Sequence, residues 1–163
     1  TTRSLSSRQI SCRSLFLSSI LKANESWSLM TSPSTSTPPT HFSTSASKSI
    51  DFVDRANNGQ EAFDQVMADF FENNGETRYG LLLMDCNMPL MDGYEATTKI
   101  RNFLYENANL TIRNQPVISA VTGQTEKIYL QKCIISGMNQ IMEKPIIPEV
   151  LHQTLIQTGF INL

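Results

Sequence analysis

The sequence predicts an α/β domain built on a doubly wound parallel sheet, and three observations predict it. Leu81, Leu82, Leu83 and Met84 follow one another with no polar alternation, the pattern of a strand buried on both faces of a parallel sheet. From residue 50 onward, short apolar runs alternate with amphipathic helical stretches. Three of the apolar runs end on a polar residue of a different chemical type: Asp85, Thr122 and Lys144.

The elements follow in order. Residues 1–49 are crowded with Ser and Thr, and residues 31–47 add Pro33, Pro38 and Pro39 with almost no large apolar side chain. Such a segment buries too little surface to offset its ordering entropy, so it is expected to be mostly disordered. Within it, residues 14–21 form an apolar island, and the Arg- and Ser-rich, acid-poor start also has the composition of an organellar transit peptide. The texture changes at residue 49, which divides the chain into a 1–49 tail and a 50–163 domain.

Residues 50–53 read as a strand. Asn58 is a good N-cap with Glu61 three residues on, and Phe63, Val66, Met67 and Phe70 then recur on one helical face. After the strand at 80–84, a helix over 92–105 turns Ala96, Ile100 and Phe103 inward. A polar loop spans 106–115. The next strand is 117–121, and the helix over 125–136 is stopped by Gly137. The strand at 139–142 is shorter and more polar, which suits a sheet edge. Pro148 opens a final helix running to about residue 158.

Composition narrows the function. Of 163 residues 40% are hydrophobic, enough for one domain-sized core. The first fifty residues hold five basic side chains against one acid, Glu25, so they carry +4 of a chain whose total is −2 and leave −6 on the remainder. An acidic domain with no stripe of aromatic and basic residues gives no case for nucleic acid. No apolar run approaches the ~20 residues of a membrane helix. Cys12, Cys86 and Cys133 are odd in number and lack metal-ligand spacing, which favours a reducing compartment, the cytoplasm, over a disulfide framework.

At the carboxyl edge of a parallel sheet, where ligands of such folds bind, the three strand ends deliver a carboxylate, a hydroxyl and an ammonium. A carboxylate accepts a phosphoryl group as a mixed anhydride. The new oxygens then need a hydrogen-bond donor and a positive charge, which Thr122 and Lys144 supply in kind. Taken singly, each residue is ordinary: a turn-capping acid, a turn threonine, a surface lysine. Their joint placement points to phosphoryl transfer onto Asp85. Cys86, with no base nearby, reads as packing.

Residues 50–158 resemble the receiver domain of two-component response regulators, found alone or attached to hybrid histidine kinases. The likeness rests on Asp85 with Asn87-Met-Pro-Leu-Met-Asp-Gly93, on Val121-Thr-Gly123, on Gly137-Met-Asn139, on Glu143-Lys-Pro-Ile146 and on Ala56-Asn-Asn-Gly-Gln-Glu-Ala62. It implies a flavodoxin-like sheet and a signalling rather than enzymatic role, with at most slow autodephosphorylation. Asp85 would be the phosphoacceptor, supplied by a histidine kinase or a histidine phosphotransfer protein. Thr122 would follow the phosphoryl group, Lys144 would pair with it, and Mg²⁺ would lie on Asp85 and the Asn87 backbone carbonyl. The resemblance also implies a cis peptide at Lys144-Pro145.

Two departures stand against these matches. Receivers open with a strand ending in an acidic pair that holds Mg²⁺, followed by a first helix; residues 38–47 stand there instead, without a single acid. The sheet is therefore expected to be incomplete at its N-terminal strand and helix, marginal in stability unless the tail fills the gap, and weak for Mg²⁺. Residues 15–20 are the candidate substitute strand. Ile141 also stands where many members carry an aromatic switch residue. The alternatives are a degenerate receiver that binds without cycling phosphate and a haloacid-dehalogenase-type phosphatase. The latter needs a second acid two residues after the nucleophile, where this chain has Asn87.

Overall fold

Five strands form one sheet in the spatial order β2-β1-β3-β4-β5. They belong to a computed structural model that describes residues 28–33 and 50–159. In chain order the elements are β1 (Ser28–Pro33), β2 (Ile50–Ala56), α1 (Gly59–Glu72), β3 (Leu81–Asp85), α2 (Gly93–Ala108), β4 (Val117–Thr122), α3 (Lys127–Ser136), β5 (Gln140–Glu143) and α4 (Pro148–Gln157).

The strands β3, β4 and β5 run parallel, with Leu81 opposite Val117 and Asp85 opposite Val121 in the first pair and Thr122 opposite Glu143 in the second. All five residues of β3 are buried, as their unbroken apolar run requires. Leu82 and Met84 enter the larger core, beneath α1, α2 and α3, with Val66, Phe70, Ile100, Leu104 and Ile118. Leu81 and Leu83 enter a smaller core with Val121, Met142, Leu151 and Leu155, the last two from α4. Burying each such side chain contributes roughly 1.5–3 kcal/mol, so β3 is the element on which both layers depend.

The helix ends match their sequence signals. The Asn58 side chain accepts the Glu61 N–H at 2.9 Å, and the Glu61 carboxylate accepts the Asn57 N–H at 2.8 Å, a reciprocal cap. Asp92 caps α2 by accepting the Glu95 N–H at 2.8 Å. Gly137 ends α3 at φ 94°, a left-handed conformation natural to glycine. Phe63, Phe70 and Phe71 of α1 meet Phe103 of α2, either directly or through one another, in edge-to-face contacts 5.2–5.9 Å apart.

The N-terminal half corrects the sequence reading. Residues 28–33, expected to be disordered, form an interior strand between β2 and β3, so the gap there is filled; residues 15–20, the expected substitute, lie outside the described residues. The direction is reversed. β1 runs antiparallel to β2, with Ser28 opposite Ala56, and antiparallel to β3, with Leu29 opposite Leu83. A parallel neighbour to β2 would need a crossover of a dozen or more residues, usually helical, whereas an antiparallel one needs only a return. The sequence of residues 34–49 holds no apolar period for a crossover helix. Pro33, which argues against a central strand, falls at the strand's end, where the register shifts after Ser32.

Candidate functional site

Asp85 is the last residue of β3 and is 1% exposed. Its Oδ2 accepts a hydrogen bond from Lys144 Nζ at 2.7 Å, and its Oδ1 accepts the Asn87 N–H at 3.0 Å. Lys144 follows β5 directly; its own N–H donates to the Thr122 carbonyl at 2.8 Å, and the Lys144-Pro145 peptide is cis. Thr122, fully buried, ends β4, and its hydroxyl oxygen accepts the Gln124 N–H at 3.0 Å. The three residues singled out by sequence therefore lie on three adjacent strand ends, and two of them are in direct ionic contact. The Lys144 side chain is 31% exposed, so the ion pair has one face open to solvent.

The loop after Asp85 is held by backbone as much as by side chains. Cys86 N–H donates to the Val121 carbonyl at 3.1 Å, and Gly93 N–H to the Cys86 carbonyl at 3.3 Å. A Cβ on Gly93 would collide with the Asp85 carbonyl, so the chain can re-enter helix under the site only at a glycine. Gly59 N–H donates to the Met91 carbonyl at 3.0 Å, and a Cβ on Gly59 would lie 2.6 Å from that oxygen. This contact locks the start of α1 onto the same loop. Met88 and Met91 are buried, while Leu90 stands 91% exposed at φ 66°. A Cβ on Gly123 would meet nothing within 4 Å, which leaves room beside Thr122.

Sequence reasoning missed a second polar cluster, at the opposite edge of the sheet from the site, where β4 and β5 begin. Arg101 of α2 is buried and donates to the Gly137 carbonyl, Gln115 Oε1, the Pro116 carbonyl and Asn139 Oδ1 at 2.6–3.0 Å. Asn139 Oδ1 also accepts the Ile118 N–H at 2.8 Å. Burial pushes Arg101 down to about 10, which leaves it charged at neutral pH. The signal for it was present: Thr97 and Arg101, four residues apart, interrupt the inner face of α2. Burial, with Cys133 beside it, also pushes the Cys86 thiol up to about 12, in keeping with packing rather than nucleophilic reactivity at this position.

Among the described residues, no group of three or more His, Cys, Asp or Glu side chains is placed to hold a metal ion. Asp54 of β2 accepts the Tyr79 hydroxyl at 2.7 Å. Because β1 is reversed, its first residue, Ser28, and not its last, lies at the level of Ala56 on the edge that carries Asp85. The described donor set does not fit Mg²⁺, which wants several oxygens in near-octahedral array. Ile141 of β5 is half-buried against the larger core, without the ring or hydroxyl of an aromatic switch.

A carboxylate at the carboxyl end of a central strand, paired with a lysine and neighboured by a strand-end threonine on a doubly wound sheet, defines a phosphorelay receiver class. A sequence model of the family described as response regulator receiver domain matches residues 44–156. The chain belongs to that family. It is 42% identical over 100 residues to hybrid signal transduction histidine kinase B of Dictyostelium discoideum, covering 57% of this chain and 4% of the relative. It is 34% identical over 116 residues to hybrid signal transduction histidine kinase A of the same organism, covering 71% of this chain and 5% of that relative. The chain thus corresponds to a small part of these larger proteins. Among solved structures it is similar to the receiver domain of the histidine kinase CKI1 from Arabidopsis thaliana complexed with Mg²⁺, at 28% identity and a TM-score of 0.50, covering 61% of this chain and 69% of that one. The family is one of two-component phosphorelay signalling. No helix among the described residues is long and apolar enough to cross a membrane.

Proposed function

We propose that Asp85 is the phosphoacceptor of a His-to-Asp relay, served by a histidine kinase or a histidine phosphotransfer protein. The observation that carries this reading is the 2.7 Å ion pair that Asp85 at the end of β3 and Lys144 after β5 make across the end of β4. An Asp85 carboxylate oxygen attacks the phosphorus of a phosphohistidine, the P–N bond breaks, and the imidazole nitrogen keeps the electron pair and takes a proton. Lys144 offsets charge on the phosphoryl oxygens, and the Thr122 hydroxyl donates to one of them. The space beside Gly123 is where the group is taken to sit. The acting unit is residues 50–163 with β1 supplied from upstream, working in the cytoplasm, and signalling uses backbone movement at residues 122–124 and α3.

In this reading Asp85 and the Asn87 carbonyl would hold Mg²⁺, and only weakly, since no acidic pair accompanies them among the described residues. That poverty of donors favours a second reading, a degenerate receiver that binds partners without cycling phosphate. Enzymatic turnover of a phosphomonoester, as in haloacid dehalogenases, is disfavoured by Asn87. Incubating the protein with Mg²⁺ and acetyl phosphate separates the readings. An acid-stable, hydroxylamine-labile label on the wild type and none on Asp85→Asn is the expected result; an unlabelled wild type overturns the first reading.

A further inference from the structure

Immediately behind Asp85, two thiols face each other. Cys86 follows the proposed phosphoacceptor, Cys133 lies on α3, and their sulfurs are 3.8 Å apart. Both side chains are wholly buried. Only a modest approach is needed to reach the ~2.05 Å of a disulfide.

The helix that carries Cys133 is lightly held. No side chain caps its N-terminus, and only Cys133 and Ser136 of its ten residues are buried. Ile128, Ile134 and Ile135 of the same helix are 59–85% exposed. Cys133 is therefore the one apolar side chain that α3 fully commits to the core, where its sulfur meets that of Cys86. Elements with so little buried anchorage open at low free energy, and each opening uncovers both sulfurs.

We infer that Cys86 and Cys133 form a reversible intramolecular disulfide under hydroperoxide, fastening α3 to the end of the strand that carries Asp85. In the closed fold burial keeps Cys86 unreactive; once α3 opens and water reaches the pair, one thiol loses its proton, attacks the peroxide and becomes a sulfenic acid with release of one water. The second thiol attacks that sulfur, the S–S bond forms, and a second water leaves. For each disulfide one hydrogen peroxide is reduced to two waters and the two thiols lose two electrons. Burial of both sulfurs makes the reaction wait on the opening of α3, so the state of that helix sets the rate of oxidation. A bond so formed would in turn hold α3 against the sheet. Its effect on phosphoryl transfer rests on the reading of Asp85 given above, whereas its formation does not.

The test is mass spectrometry of the full chain after millimolar hydrogen peroxide, in the wild type and in Cys12→Ser, where only this pair remains. The expected result is a loss of two hydrogens in Cys12→Ser, restored by dithiothreitol, with tryptic peptides carrying Cys86 and Cys133 joined in both proteins. Hydrogen exchange should slow in α3 on oxidation. Cys133→Ala and Cys86→Ala should each abolish the bond. Oxygen adducts on either cysteine without the two-hydrogen loss, or thiols that stay free while the denatured chain oxidises, would overturn the inference. A full yield of disulfide in a chain that accepts no phosphate leaves this inference standing and removes only the reading of Asp85.

Discussion

The two halves of the sheet answer the same architectural demand by different means. On one side, β3, β4 and β5 run parallel and bring Asp85, Thr122 and Lys144 to one edge, with Lys144 2.7 Å from Asp85. On the other, β1 is laid in backwards between β2 and β3. The difference teaches that hydrogen-bonding completeness and chemical completeness are separable. A central position left empty strands unpaired backbone groups, each costing about 1–3 kcal/mol, and a strand of either direction satisfies them. Only a parallel strand, however, would end at the site. The reversed one completes the sheet and contributes no terminal carboxylate.

The largest effect should come from breaking the reversed strand. Thr31 pairs with Val53 on one side and Leu81 on the other. A proline there removes a ladder donor inside the sheet and leaves its acceptor unpaired, about 1–3 kcal/mol before the ring's own clash with the ladder is added. Urea unfolding of Thr31→Pro should lose its cooperative transition. Retention of wild-type stability would mean that β1 is dispensable.

On the intact half, Gly93→Ala should follow in size, because the added methyl meets the Asp85 carbonyl and overpacking costs about 1–3 kcal/mol. A drop in melting temperature accompanied by loss of acetyl-phosphate labelling is expected. An unaffected label would show that the loop geometry tolerates displacement.

Lys144→Ala should be the smallest in stability and the most selective in function. Lys144 taken as an exposed lysine would contribute little, but it is 31% exposed and paired to a carboxylate that is 2% exposed. Its loss should cost about 1 kcal/mol, the upper end of the range for surface pairs, since Lys144 keeps one face in solvent. The phosphorylation-linked change in hydrogen exchange at residues 122–124 should fall much further. Proportionate losses in both would count against a signalling role for this lysine.

The C-terminal two-thirds of the fold was legible because each element carried its own local signal. The Asn58 and Asp92 caps, the unbroken 81–84 run, Gly137 and Pro148 all act within a few residues of the structure they specify. The gathering of Asp85, Thr122 and Lys144 on one edge was legible for the same reason, since strand ends are easy to align, whereas the direct Asp85–Lys144 contact came only with the structure. β1 was not. Six residues reading Ser-Leu-Met-Thr-Ser-Pro have neither the apolar run nor the alternation of a buried strand. Their assignment comes from a vacancy between β2 and β3 that only the assembled sheet presents. Arg101 was hidden likewise, because its acceptors come from residues 115, 116, 137 and 139. The Gly137-Met-Asn139 motif thereby proves architectural, tying α2 to the starts of β4 and β5.

The seams of the sheet are unequal. β1 meets β2 over six register positions and β4 meets β3 over five, but β1 and β3 share only three, Leu29 with Leu83, Met30 with Leu82 and Thr31 with Leu81. The sheet therefore has a built-in tear line on the side of β3 away from β4. Under load or partial unfolding, β1 and β2 should leave together as a ribbon, while the strands that bear Asp85, Thr122 and Lys144 stay joined.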